Sequence, residues 1–334
     1  MIFVCCALVL SCSVVFYTAK WLRNPSRKYF NATSVASAYD SWTEDGILES
    51  YWGEHIHLGW YDEAFWFHAT DSFFSCLIKA IFSSSSSLYV FKSAKDSFTL
   101  KMAEFGGIFS NKSPQKVLDI GCGIGGSARK LATVLKSCHV TGISISPEQV
   151  KRATELTSSY GLNNASFDCQ DAISMGKFAD DSFDVVWLCE SSEHIQDKKR
   201  LFTEAHRVLK PGGNLVMAAW CCRDGRGRSI SERSRLKFLE DEWSHPRFAS
   251  VEEIERILTN DLKMDEVIVE DWTTQTLPSW RHSILVGIWW PWPVIRRPSL
   301  WMKTVREVYT ISEMHSAFCE GLMRYGMFKA TKSL

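Results

Sequence analysis

The chain of 334 residues lacks net charge: 38 Lys and Arg stand against 38 Asp and Glu. A nucleic-acid binder normally carries a basic surplus, so that class of partner is excluded. Metal-ligand spacing is also missing. The eleven cysteines are an odd number, and Cys5/Cys6 and Cys221/Cys222 are adjacent pairs, not C-x-x-C. Cys122, Cys138, Cys169 and Cys189 fall in apolar or glycine-rich runs, where a reduced thiol behaves as a small hydrophobe. We expect no metal site, no disulfide framework and a reducing compartment. There is no internal repeat, and no Gly-Lys-Ser/Thr follows any glycine loop, which excludes a P-loop.

What is present is a globular composition, with 46% hydrophobic and 23% charged residues, which excludes wholesale disorder. The length fits one large α/β domain with additions, or two smaller ones. The 14 tryptophans suit interfaces and pockets for bulky apolar ligands. Residues 2–19 are nearly continuous apolar sequence, followed by Lys20, Arg23, Arg27 and Lys28, with no acidic residue before Asp40. The stretch is borderline for a bilayer span. It reads as a signal anchor, a cleaved signal, or the first half of a two-part plastid address. We therefore set residues 1–39 apart as a targeting segment.

From residue 116 onward the pattern alternates. KVLDIGCGIGG at 116–126 is a short apolar strand entering glycines, and a helix follows. A second strand at 138–146 precedes a helix opened by Pro147 and closed by Gly161. Strands at 165–172, 181–191 and 214–220 follow, with a helix at 198–213 between the last two. Such alternation predicts right-handed βαβ units and a parallel, doubly wound sheet. Farther on, 251–262 reads as a helix and 264–273 as a strand. Residues 284–302 are apolar and tryptophan-rich, but three prolines forbid one spanning helix. They read as a pocket lid, a membrane-surface patch, or ordinary core of a helical cap.

The sharpest local signal is Asp119-Ile-Gly121-Cys-Gly123-Ile-Gly125-Gly126, directly after a strand. Glycines let the backbone turn tightly and approach a ligand. The spacing satisfies G-x-G-x-x-G, so a nicotinamide dinucleotide has to be weighed. Asp119 argues against it. A carboxylate before the first glycine repels a diphosphate and attracts a ligand carrying positive charge.

VLDIGCGIGG resembles motif I of the class I S-adenosylmethionine-dependent methyltransferases. Four more segments sharpen the likeness to the tocopherol (prenylquinol) C-methyltransferase subgroup: YWGEHIHLGWYD at 51–62, GISISPEQ at 142–149, FDVVWLCESSEHIQDK at 183–198 and RVLKPGGNLVMAAWCCRD at 207–224. VEDWTTQTLPSW near 269–280 fits its C-terminal part, and the likeness spans residues 40–330. The resemblance implies a Rossmann-like α/β fold with a mostly parallel seven-stranded sheet, an N-terminal lid and a C-terminal helical cap. It implies one catalytic domain over 40–334, with lid and insertion at 40–110, cofactor core at 111–225, and substrate cap with the last strands at 226–334. Residues 66–92, with their serine run, look inserted relative to the family.

The resemblance further implies S-adenosylmethionine as cofactor. Asp119, Gly121, Cys122, Gly123 and Gly125 would hold its methionine part, with Glu190 beside them. Ser144, Ile145 and Gln149 would hold the ribose, and Asp171 and Ala172 the adenine. For methylation of a phenol ring a general base helps, because the ring carbon becomes nucleophilic as the hydroxyl loses its proton. His194 is the expected base. Glu190 and Glu193 would share a helical face with it, orient its imidazole and raise its basicity. Tyr39, Asp40, His55 and His57 are expected substrate-pocket residues. His55 and His57 do not form a metal pair, because no third ligand is visible. The implied acceptor is a lipophilic prenylated or phytylated phenol or quinol. Alternatives are a small-molecule amine, a sterol, or a catalytically silent cofactor binder of the same fold. The implied location is plastidial and membrane-associated, through residues 2–19 or 284–302, with an endomembrane anchor as the alternative. The sequence leaves the oligomeric state open.

Overall fold

The computed structural model describes residues 17–18, 20–62, 87–109, 114–225 and 227–334. Most of the expected leader at 2–19, and most of the expected insertion at 66–92, lie outside the described residues. In chain order the structure opens with helices α1 (Ala32–Asp45), α2 (Ile47–Trp52) and α3 (Ser87–Phe105). The alternating region follows: β1 (Lys116–Ile120), α4 (Gly126–Val134), β2 (His139–Ser144), α5 (Pro147–Ser159), β3 (Ala165–Cys169), β4 (Phe183–Cys189), α6 (Lys198–Val208) and β5 (Leu209–Cys222). The C-terminal part is α7 (Ile230–Glu242), α8 (Val251–Arg256), β6 (Asp265–Asp271), α9 (Pro278–Trp289), α10 (Trp292–Ile295), α11 (Trp301–Cys319) and β7 (Met323–Thr331).

Among the described residues seven strands form one sheet, ordered β3-β2-β1-β4-β5-β7-β6. The β1–β2, β2–β3, β1–β4 and β4–β5 pairs are parallel; β7 runs antiparallel to both β5 and β6. This is the doubly wound, mostly parallel sheet expected from the sequence. Val117, Leu118 and Ile120 of β1 are fully buried because helices cover both faces of the sheet. Successive side chains alternate between the two faces. Val117, Val140, Val185, Trp187 and Val216 pack with Phe98, Met102, Leu131 and Phe318 on one side. Leu118, Ile120, Val186, Leu188 and Leu215 pack with Leu201, Phe202 and Ile254 on the other.

The order of strands reverses between β1 and β4, and in such sheets the crevice beyond the strand ends at that point holds the ligand. The connections there are capped as the sequence indicates. The Ser146 Oγ accepts the Gln149 N–H at 3.1 Å, and Pro147 occupies the first turn of α5.

Three boundaries differ from the sequence reading. α6 ends at Val208, and β5 begins at once at Leu209, so Pro211 and its glycines lie inside a long strand. The helix read at 251–262 stops at Arg256 and continues as a wider turn over Ile257–Asp261. At the other end of the chain, the division placed at residue 39 falls inside α1. Residues just before it pack on the cap. The Arg306 guanidinium, ion-paired with Glu242 at 2.9 Å, donates to the carbonyls of Trp21 (2.6 Å) and Asn24 (2.7 Å). Among the described residues no helix is long and apolar enough to cross a membrane.

Candidate functional site

A cavity of about 810 Å³ opens beyond the ends of β1, β2 and β4. Its wall includes Asp119, Gly121, Cys122, Gly123, Ser144, Ile145, Gln149, Asp171, Ala172 and Glu190, and also Tyr39, His55, His57 and His194. Gly125 and Asp40, grouped with these in the sequence reading, are not part of the wall. Gly125 precedes α4 with its Cα against Phe167 and Arg129. The Asp40 carboxylate accepts a short hydrogen bond from the Ser146 hydroxyl.

In the glycine loop an added side chain has no room at Gly121, Gly125 or Gly126. Gly121 has φ +76°, and an added Cβ would lie 2.3 Å from the Ser191 Cβ. At Gly126 an added Cβ would meet the Glu54 carbonyl oxygen at 2.3 Å. The lid segment therefore lies directly on the start of α4. Its own ties fix it there: Glu54 pairs with Arg129 at 2.7 Å, and the His55 Nε2 meets Asp96 at 2.9 Å. The Nδ1 of His57 donates to the Leu58 carbonyl at 2.7 Å, and its Nε2 lies 3.1 Å from the His55 Nδ1. Both imidazoles are thus held by protein partners, and burial lowers both pKa values.

Charge in the cavity selects the ligand. Asp119 is 1% exposed, and its Oδ2 is buried with no hydrogen-bond partner among the described residues. Burial pushes its carboxyl up to about 7. The N–H groups of Gly121 and Cys122 both donate to the Ile143 carbonyl, at 2.8 and 3.0 Å. That removes two donors a diphosphate would need. An orphaned buried carboxyl with no such donors beside it fits a ligand bearing positive charge. Near Ser144 the hydroxyl donates to the Gln149 Oε1 at 2.8 Å, so these two expected ribose partners already form a pair. Asp171 lies at the rim, its Oδ1 accepting the Ile173 N–H at 3.1 Å.

A second, apolar cavity of about 470 Å³ abuts the first. Trp42, Trp52, Trp220, Trp243, Ile284, Ile288, Val294, Leu300 and Ile311 contribute to its wall. Four residues line both cavities: Tyr39, Ile56, Glu190 and His194. The tryptophan-rich stretch thus supplies part of a pocket wall, one of the three readings its sequence allowed.

At this junction the structure corrects the expected His194–Glu190 pairing. Glu190 comes directly after β4, has φ +49°, and leads through Ser191 into a short 3-10 turn, Ser192–His194. The two side chains therefore turn to different partners. The Glu190 Oε1 accepts from the Leu58 N–H at 2.8 Å and from the Tyr325 hydroxyl at 2.6 Å. The His194 Nε2 instead meets the Tyr39 hydroxyl at 2.7 Å. Among the described residues no carboxylate bonds to the imidazole, and burial, with Lys198 nearby, pushes His194 down to about 3. Glu193 accepts the Trp220 N–H at 2.5 Å. Burial raises Glu190 to about 8 and raises Glu193 as well, so at this junction carboxyls, and not His194, hold the protons exchangeable near neutral pH.

Sequence reasoning missed Tyr325, Ser191, Leu58 and Tyr29 at this site. Ser191 carried a signal, since the close turn at Gly121 demands a small neighbour. Tyr325 carried none: it reaches Glu190 from the antiparallel β7, a long way along the chain.

A parallel sheet with a cavity at its switch point, an orphaned acid and a glycine bend define a nucleotide-type site selective for a cationic donor. The description "Methyltransferase domain" matches residues 118–217. The chain is 43% identical over 318 residues to a 2-methyl-6-phytyl-1,4-hydroquinone methyltransferase of Synechocystis sp., covering 92% of this chain and 90% of that protein. It is 29% identical to a chloroplastic tocopherol O-methyltransferase of Arabidopsis thaliana, covering 94% and 83%. The fold is also that of a geranyl diphosphate C-methyltransferase from Streptomyces coelicolor A3(2). That structure superposes with a TM-score of 0.67 at 18% identity, over 92% of this chain and 99% of that one. The chain belongs to the tocopherol-methyltransferase-like family of S-adenosylmethionine-dependent methyltransferases. It is an enzyme, and its cofactor is S-adenosylmethionine.

Proposed function

We propose that this enzyme methylates a ring carbon of a phytylated or otherwise prenylated hydroquinone. The observation that supports this reading best is the apolar cavity that meets the cofactor cavity at Tyr39, Glu190 and His194. An aromatic head group placed at the junction has an apolar channel for its isoprenoid tail. The name of the 43% identical relative fits the same acceptor class.

The cofactor brings a methyl group already activated on a sulfonium. The protein's part is to place the acceptor, exclude water and accept a proton. Asp119 and the glycine bend would hold the cofactor's cationic end, and Ser144, Gln149 and Asp171 its nucleoside. Glu190 takes the phenolic proton. Its raised pKa matches that of a proton acceptor working near neutral pH, and Leu58 and Tyr325 fix its orientation. Tyr39, held by neutral His194, positions the acceptor hydroxyl. His194 thereby becomes a positioning residue in place of the base expected from the sequence. Deprotonation at the hydroxyl puts electron density on the ring carbon, which would take the methyl as its bond to the sulfonium sulfur breaks; the ring carbon then loses its own hydrogen as a proton, Glu190 returns its proton to the oxygen, and the aromatic quinol is restored with one net proton released.

Plant relatives of the chain are named as chloroplastic, and we place this enzyme in a plastid, at a membrane. The test is turnover with labelled S-adenosylmethionine against phytylated methylhydroquinone, tocopherols, amines and sterols. Mass spectrometry should find the label on a quinol ring carbon. Label on an amine alone would favour the N-methylating alternative, in keeping with a 28% identical norajmaline N-methyltransferase from Rauvolfia serpentina. No transfer to any quinol overturns the acceptor assignment.

A further inference from the structure

We infer that the outer face of the α9–α11 region is a docking surface for an anionic lipid bilayer, aimed so that the acceptor cavity opens toward the lipid. The inference rests on the proposed lipophilic acceptor and adds the partner and orientation of that same site.

Three observations carry it. The first is an exposed aromatic and aliphatic belt. Trp290, Trp292 and Trp301 are 50, 48 and 52% exposed, and Ile288, Ile295 and Met302 stand beside them. Tryptophan pairs an apolar body with an N–H donor and is suited to the membrane interface. The belt continues into the cavity, because Ile288, Val294, Ile295 and Leu300 of the same segment line its wall.

The second is charge. From residue 281 to 306 the chain carries Arg281, Arg296, Arg297, Lys303 and Arg306 and no Asp or Glu. Of these, Arg296 and Arg297 are exposed within the belt and make its basic rim; Lys303 is neutralised by Asp45, and Arg306 is buried against Glu242. The acidic groups facing it from neighbouring elements are engaged. Asp45 pairs with Lys303 at 2.8 Å, and Glu307 pairs with Arg27. A basic rim around apolar side chains complements an anionic lipid surface better than it complements a second copy of itself.

The third is where the chain enters. The Trp21 carbonyl accepts from Arg306 on α11, with the Trp21 ring 4.3 Å from that guanidinium. Trp21 thus rests on the helix that carries Trp301 and Met302.

The test is flotation of the full chain with acceptor-free vesicles, either phosphatidylcholine alone or mixed with phosphatidylglycerol. It is repeated for a form lacking residues 2–19. Both forms should float with the anionic vesicles and detach at high salt, and Trp290→Ser with Trp292→Ser, or Arg296→Glu, should weaken binding of the shortened form about tenfold. None of these side chains lines either cavity, so turnover of a short-tailed, water-soluble quinol should stay unchanged while KM for vesicle-borne acceptor rises. Failure of the shortened form to float, or equal flotation by the variants, overturns the docking surface. So does sedimentation showing that the substitutions dissociate a dimer. Because the vesicles hold no acceptor, failure to float leaves the acceptor assignment standing, and failure of turnover leaves the docking result standing.

Discussion

The two cavities were built in different ways. The cofactor cavity is lined largely by strand ends and the turns that follow them, at 119–127, 143–149 and 170–173, each a short run of neighbouring residues. The acceptor cavity is lined by side chains from α1, α2, β5, α9, α10 and α11, spread from Tyr39 to Ile311. The first is the more polar and selects by charge; the second is apolar and selects by shape. Local backbone geometry specifies the first, whereas the second exists only after distant helices have packed. Tyr39, Ile56, Glu190 and His194 belong to both, and they are where the difference can be tested.

The largest effect should come from Asp119→Asn. Removing this orphaned carboxyl should weaken S-adenosylhomocysteine binding about 100-fold by calorimetry, a loss of the size expected for a partly desolvated charge contact. Acceptor binding should hardly change; equal losses at both cavities would break the division drawn here. Next is Tyr39→Phe. Losing the hydroxyl bonded to His194 should lower kcat about 30-fold, less than the roughly 100-fold or more of a group that itself moves the proton, with little change in cofactor affinity. A change in cofactor affinity alone would place Tyr39 with the first cavity only.

A smaller effect is expected at Gly287, where an added Cβ meets nothing within 4 Å and the position lines the acceptor cavity. Gly287→Leu should raise KM for a phytylated quinol about tenfold, the usual scale for losing a few methylenes of pocket, and leave a short-tailed quinol unaffected.

The smallest effect is the pH response of cofactor affinity. Asp119 sits near 7 when it has no partner, and a cationic ligand favours its ionised form. Affinity should therefore rise as pH climbs from 6 toward 8, with up to one proton released per ligand bound, read from calorimetry in buffers of different ionisation enthalpy. For folding alone the sign is opposite. An acid whose folded pKa is raised favours the fold below its ordinary value, and that contribution is lost as pH rises through about 7. The ligand-free protein should thus melt lower at pH 8 than at pH 6 on account of Asp119, and Asp119→Asn should remove that part of the slope.

The same contrast explains what the sequence could disclose. The alternating strands and the Asp119 bend were legible because apolar runs, caps and glycines act on their immediate neighbours. β7 was not placed, since MRYGMFKAT has no turn signature and pairs with β5 and β6 through contacts remote in sequence. The Glu190–His194 relation was misjudged for a similar reason. The spacing suits a helix, yet the left-handed residue at Glu190 and the tight turn behind it send the two side chains apart. Tyr325 and Leu58, which hold that carboxyl, come from the two ends of the chain. The division at residue 39 rested on composition, which cannot distinguish a leader from a basic segment that ties back onto a buried Arg306.

That last tie sets a rule for anyone trimming the molecule. Cutting at residue 40 would discard Tyr39, strip Tyr29 and Val35 from the cofactor wall, and leave Arg306 and Glu242 without the main-chain groups that cover them. Such a fragment would keep its sheet and its glycine bend while losing the seam between donor and acceptor. Inactivity in it would be misread as a wrong substrate. A useful trim stops ahead of Trp21.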